Sequence, residues 1–167
     1  MGRRPTKAGE NPWCKARIEA AKYDERLLSR EGAAERLGMS VSAVSDAELG
    51  LSKCMPVDKA VLMADLYKAP HLLNYYCLNE CPIGCRLPIS DEVLSVERVT
   101  VKLLKNLRVD EIRNVKEKLI DISADGAISE DEKPDLREVL RYLDDLAKTI
   151  SELKTVGLMA LGEDNES

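Results

Sequence analysis

Ser29-Arg-Glu-Gly-Ala-Ala-Glu-Arg-Leu-Gly38-Met-Ser40-Val-Ser-Ala-Val-Ser-Asp-Ala-Glu-Leu-Gly50 is the stretch on which the reading of this chain turns. Ala33, Ala34, Leu37, Met39, Val44 and Ala47 recur at helical spacing, so the stretch reads as two short helices. Gly38 stands where the first helix must stop and the chain must turn sharply. Ser40 is placed to cap the second helix. The small side chains of Ala33 and Ala34 let the two helices cross closely. From Met39 to Ser52 there is no Arg, Lys, Asn or Gln.

Outward from this pair the pattern stays helical. Residues 1–10 are polar and read as a flexible arm. A helix is expected from about Trp13 to Ala21, another from Asp58 to Tyr67 with Val61, Leu62 and Leu66 on its apolar side, and another from Pro70 to Leu78. Cys81-Pro-Ile-Gly-Cys-Arg-Leu-Pro88 breaks all periodicity, and residues 79–90 read as a linker. Beyond it, helices are expected over Asp91–Leu107 and Asp110–Ile122, with a kink near Arg108. After an Ala124-Asp125-Gly126 turn comes a long helix, about Glu130–Met159. Its Val139, Leu143, Leu146, Ile150 and Leu153 alternate in steps of four and three, a heptad seam that needs a partner. Residues 91–160 are therefore expected to form a helical hairpin that dimerises, and residues 161–167 an unstructured acidic tail.

The chain has 167 residues, no Phe and 4% aromatics. That suits one or two small all-α domains with an aliphatic core. The net charge of −5 argues against a general polyanion binder. Positive charge is concentrated in residues 1–40, where nine Lys/Arg face six Asp/Glu. No secretory leader is read, and no run approaches the ~20 apolar residues of a membrane span. Met1-Gly2 with Thr6 fits a loose myristoylation pattern, but Arg3, Arg4 and Pro5 favour a basic arm. An odd count of five cysteines points to reduced thiols in a cytoplasm.

Residues 11–78 resemble the Cro/lambda-repressor helix-turn-helix domain of regulators from bacterial and phage mobile elements. The matching marks are Ala34, Leu37-Gly38, Ser40, Val44-Ser45, Glu48 and Gly50, then Pro56 and Val61-Leu62-Met63-Ala64. The resemblance implies five helices, a dimer, and a second motif helix laid in the major groove of double-stranded DNA. By this resemblance Arg30 opens the first motif helix, where family members place a polar group on a phosphate. Val41 and Ser42 lie at the front of the recognition helix, facing a thymine methyl or a base edge, and Ser45 reaches a phosphate or a base. Asp46 departs from the family, which often has Gln, Lys or Arg there; a carboxylate accepts from a cytosine amine but repels phosphates. Lys53 and the arm residues Arg3, Arg4 and Lys7 supply backbone affinity.

Two other constellations hold metal-ligand chemistry. Asp121, Ser123, Asp125, Ala127, Ser129 and Glu132 fall at positions 1, 3, 5, 7, 9 and 12 of an EF-hand-like calcium loop, with Gly126 at 6. The same residues also read as an Asp-Gly turn and a Ser129/Glu132 capping box, with no metal. His71, Cys77, Cys81 and Cys85 are four nitrogen and sulfur ligands within fifteen residues, enough for zinc, though the intervals are not those of a zinc knuckle. They read equally as packed thiols. No phosphate loop or Ser/His/Asp set is present, and one histidine leaves little for acid–base catalysis.

The expectation is thus a dimeric, cytoplasmic, DNA-binding transcriptional regulator, not an enzyme and without a required cofactor. The competing readings are a protein-interaction module on the same fold, with the acidic helix meeting a protein partner, and a calcium-responsive switch through residues 121–132.

Overall fold

The structure is a computed structural model and describes residues 7–52, 55–124 and 126–162, with side chains from residue 9 onward. Among the described residues all regular structure is helical, so the fold is all-α. In chain order the elements are α1 (Lys7–Glu10), α2 (Pro12–Ala20), a 3-10 turn (Glu25–Leu28), α3 (Arg30–Leu37), α4 (Val41–Leu49), α5 (Val57–Leu66), α6 (His71–Asn79), a second 3-10 turn (Gly84–Arg86), α7 (Val96–Asn106), α8 (Val109–Ile122) and α9 (Lys133–Leu161). No helix among these residues is long and apolar enough to cross a membrane. The chain divides into two compact units, residues 1–87 with 158–167, and residues 88–157.

Local chemistry explains most of the boundaries in the first unit. Asn11 caps α2, its side-chain oxygen accepting from the Trp13 N–H, and Pro12 takes the first helical position. Ser29 caps α3 by accepting from Gly32, and Ser40 caps α4 by accepting from the Ala43 N–H at 3.1 Å. Gly38 ends α3 in the left-handed conformation, φ 59°, which a side chain would strain. The turn between α3 and α4 thereby closes in three residues. Ser40→Ala is expected to cost about 1 kcal/mol by orphaning that N–H, read as a shift in urea midpoint with an unchanged slope.

The core of this unit is built from small and aliphatic side chains, Ala33, Ala34, Leu37, Val44, Ala60, Met63 and Leu72 among them. It is not purely aliphatic. Trp13, Tyr67 and Tyr76 are buried in it, Trp13 packs edge-on against Tyr75 with ring centroids 6.2 Å apart, and the Tyr76 hydroxyl donates to the Met55 carbonyl. Few aromatics in the composition did not mean few in the core. The turn Gly84–Arg86 lies in the stretch that reads as a linker, yet Gly84 is buried and the turn packs on α6.

In the second unit, α7 is shorter than its sequence pattern. Residues 91–95 are not helical, and Ser95 caps the helix at Val96. α7 and α8 are separated only by Leu107 and Arg108. α9 is tied to α7 by polar contacts: Lys102 Nζ to both Glu152 oxygens at 2.7 and 2.8 Å, Asn106 to the Thr149 hydroxyl, and the Tyr142 hydroxyl to the Asn106 carbonyl. Lys118 on α8 pairs with Asp135 and Glu138 of α9. These pairings run antiparallel. They also divide the heptad seam. Val139 is buried and Leu146 and Leu153 half-buried, but Leu143 and Ile150 face solvent. Thr149, Glu152 and Thr155 take buried positions instead; the Thr149 hydroxyl and the Glu152 carboxylate find partners there.

Candidate nucleic-acid interface

The α3–turn–α4 element presents a patterned outer surface. Val44, Ala47 and Glu48 point inward and are buried, Ser45 is half-buried, and Val41, Ser42 and Asp46 face solvent. The Ser42 hydroxyl lies 3.0 Å from that of Ser40, which already caps the helix. Asp46 is the sole charged side chain on the outward side of α4. α1 runs beside α4, and the Asn11 side-chain amide donates to the Ala47 carbonyl at 3.1 Å, so the segment following the basic arm is fastened to this helix.

Beneath the surface lies a group that sequence reading did not find. Glu48 is fully buried, and its carboxylate accepts from Arg17 Nε at 2.5 Å, Arg17 Nη2 at 3.2 Å and Arg30 Nε at 2.7 Å. Arg17 Nη1 also donates to the Leu27 and Leu28 carbonyls at 2.7 and 3.0 Å. One carboxylate and two guanidinium groups thus join α2, the first 3-10 turn, α3 and α4. Burial alone would raise the Glu48 carboxyl, but the hydrogen bonds and charges of Arg17 and Arg30 outweigh it and hold the group below its usual range. Burial opposes the charge on Arg17 too, and Glu48 more than restores it. The neighbouring Cys14 thiol is pushed up by burial and then by Glu48, and the Tyr67 phenol by the same two causes. Both stay protonated at neutral pH, so the group keeps one formal positive charge.

Arg30, expected from the family resemblance to meet a phosphate, is held here by Glu48 at the start of α3 with about a third of its side chain exposed. A guanidinium fixed through Nε is an oriented cation rather than a floppy one. Glu48 was a marker of the resemblance, but nothing in the sequence links it to Arg17, 31 positions away. Arg3, Arg4 and Lys53 lie outside the described residues, as does the side chain of Lys7.

The zinc candidates do not converge. Among the described residues no group of three or more His, Cys, Asp or Glu could hold a metal ion. His71 opens α6 and Cys77 lies six residues on, about 9 Å along the axis and on a different side. Cys85 is exposed, its thiol donating to the Pro82 carbonyl. Burial lowers His71, and burial with neighbouring Cys81 raises Cys77, so the two behave as a neutral imidazole and a thiol. In the calcium-like segment, Asp125 lies outside the described residues. A Glu132 oxygen accepts the Ser129 N–H at 2.7 Å, one half of a capping box, and Ser123 donates to the Ile120 carbonyl. Asp121, Ala127 and Ser129 are exposed around that turn.

Compared with known proteins, the chain matches no protein-family model, no curated protein and no solved structure.

Proposed function

We propose that this chain is a DNA-binding transcriptional regulator of the Cro/lambda-repressor type, acting as a dimer in a reducing cytoplasm, with α4 laid in the major groove. The observation that carries this reading is the anchoring of α4. Its inner face is locked by Val44, Ala47 and the Arg17–Glu48–Arg30 group, while Val41, Ser42 and Asp46 are left outward and Ser45 half-exposed. A rigid helix with small outward side chains, beside an oriented arginine and the end of a basic arm, suits close approach to a duplex.

The chemistry of that face limits how sequence is read. Val41, Ser42, Ser45 and Asp46 make none of the bidentate contacts that arginine gives guanine or asparagine gives adenine. Affinity on this reading comes from Arg3, Arg4, Lys7, Arg30 and Lys53 against phosphates, and selectivity from groove shape and ordered water. Fluorescence anisotropy with random and genomic duplexes across a salt series tests it. Binding is expected at ~50 mM salt and should weaken by 10-fold or more by ~200 mM. Deleting residues 1–8 should cost more than Ser42→Ala, and Asp46→Lys should tighten binding to random duplex by removing repulsion.

A second reading draws on the apolar side chains near this face. Val41 at the start of α4 and Leu51 just past its end are exposed, as is Asp46 between them, a composition that suits a protein partner as well as DNA. No duplex binding at ~50 mM salt would replace the first reading with this one.

A further inference from the structure

We propose that α9 pairs antiparallel with α9 of a second copy of this chain. The contact is an outer stripe of Leu136, Leu140, Leu143, Ala147 and Ile150, with Arg137 set against the partner's Asp144. It rests on the dimer of the proposed function and deepens it by naming the contact, and it concerns a different face of α9 from the one turned toward α7.

The stripe follows steps of four, three, four and three, the spacing of a coiled-coil seam. Leu140, Leu143 and Ile150 are 51%, 43% and 45% exposed. The inward face of the same helix is already occupied, by Val139, Tyr142, Thr149 and Glu152 in contacts within the chain. Among the described residues of 88–157, only four hydrophobic side chains are buried, Val99, Ile122, Val139 and Val156. Seventy residues with so few buried apolar groups fall short of a self-sufficient core, and α8 leaves Ile112 and Leu119 exposed as well. A two-helix hairpin cannot cover both sides of its helices, whereas two hairpins stacked face to face can.

Charge identifies the occupant as a second copy. Arg137 and Asp144 each follow a stripe residue by one position, so both flank the seam on one side. Both are exposed, and neither forms an ion pair among the described residues. They lie two helical turns apart, too far to pair with each other. A two-fold axis between Leu140 and Leu143 in an antiparallel pair brings Arg137 to the partner's Asp144 and Asp144 to the partner's Arg137. That is the self-complementarity a two-fold interface requires. A parallel pair would put the two copies of this flank on opposite sides of the seam, where Arg137 and the partner's Asp144 cannot meet.

Sedimentation equilibrium of the full chain, without DNA, tests this separately from the DNA-binding reading. The wild type should be a dimer across micromolar concentrations. Leu143→Asp should weaken association on the order of 100-fold while far-UV circular dichroism keeps its helical signal. Arg137→Glu should weaken it about 10-fold, and the double charge swap Arg137→Glu with Asp144→Arg should restore it to within about threefold. If Leu143→Asp loses helix, the charge series decides alone, because surface substitutions leave the hairpin intact. A monomeric wild type at ~50 μM, or a double swap no tighter than the single, would overturn the pairing.

Discussion

Glu48→Ala is expected to lower the unfolding free energy of the first unit by about 3–5 kcal/mol. The carboxylate is fully buried, and its removal leaves the Arg17 guanidinium, itself 5% exposed, without its counter-charge. The loss exceeds what a deleted hydrogen bond costs, because a buried cation without a partner carries most of its desolvation penalty uncompensated. Replacing Arg17 by Met and Glu48 by Leu together should cost less than the two single changes summed, since no charge is then stranded. The Leu27 and Leu28 carbonyls still lose their donor in that pair, so wild-type stability is not regained. The pH dependence has a definite sign. Glu48 is held below its ordinary value of 4.5 when folded, so its contribution is complete above about pH 4.5 and is lost as pH falls through the depressed value. The stability gap between wild type and Glu48→Gln should therefore be flat near neutrality and shrink in acid. Denaturant melts from pH 7 to about pH 3 check this, and an unchanged gap at both ends would contradict the buried carboxylate.

Gly32→Ala is expected to destabilise the same unit by about 1–3 kcal/mol, against the usual direction of that substitution in a helix. In an open helix the change from glycine to alanine gains up to ~1 kcal/mol. At Gly32 the added Cβ would stand 2.1 Å from the Arg26 carbonyl oxygen and 2.9 Å from its carbon, both backbone atoms. The first 3-10 turn must then move, taking with it the Leu27 and Leu28 carbonyls that hold Arg17. The effect should reach α4 and weaken any duplex binding in step with stability. Gly157→Ala, in α9, meets no atom within 4 Å and is the control, expected to be neutral or stabilising by ~0.5–1 kcal/mol. Urea melts of the two variants side by side read both signs. Equal stabilisation by both would show that the turn does not press on α3.

The two glycines look alike in the sequence, and that marks where its legibility ended. The all-α class, the Ser40 cap, the left-handed stop at Gly38 and the break between α7 and α8 follow from short-range chemistry, in which a residue's neighbours within one turn settle the outcome. Most helices came out within a few residues of their expected bounds for the same reason, but α7 starts five residues later than expected and Lys7–Glu10, read as part of a flexible arm, is helical. Side-chain periodicity also marked which faces of α3 and α4 are apolar. It could not say which side of α9 would be used. Val139 and Leu143 stand one turn apart in the same seam, yet only Val139 is covered, because Lys102 and Asn106 draw Glu152 and Thr149 inward and rotate the contact face. The Gly84–Arg86 turn carried linker composition, and its docking on α6 depends on a surface its own residues do not encode.

What the sequence determined by itself is the set of helices, their caps and the small outward side chains of α4, since these rest on propensity, spacing and local hydrogen bonds. The tertiary structure alone decided that Glu48 is an interior anion shared by Arg17 and Arg30, that Gly32 touches the Arg26 carbonyl, that no three of His71, Cys77, Cys81 and Cys85 converge on one point, and that α9 keeps one apolar stripe uncovered. Each of these joins or separates positions distant along the chain or across a helix. Burial and charge pairing in three dimensions set their free energies, and no local pattern carries that information.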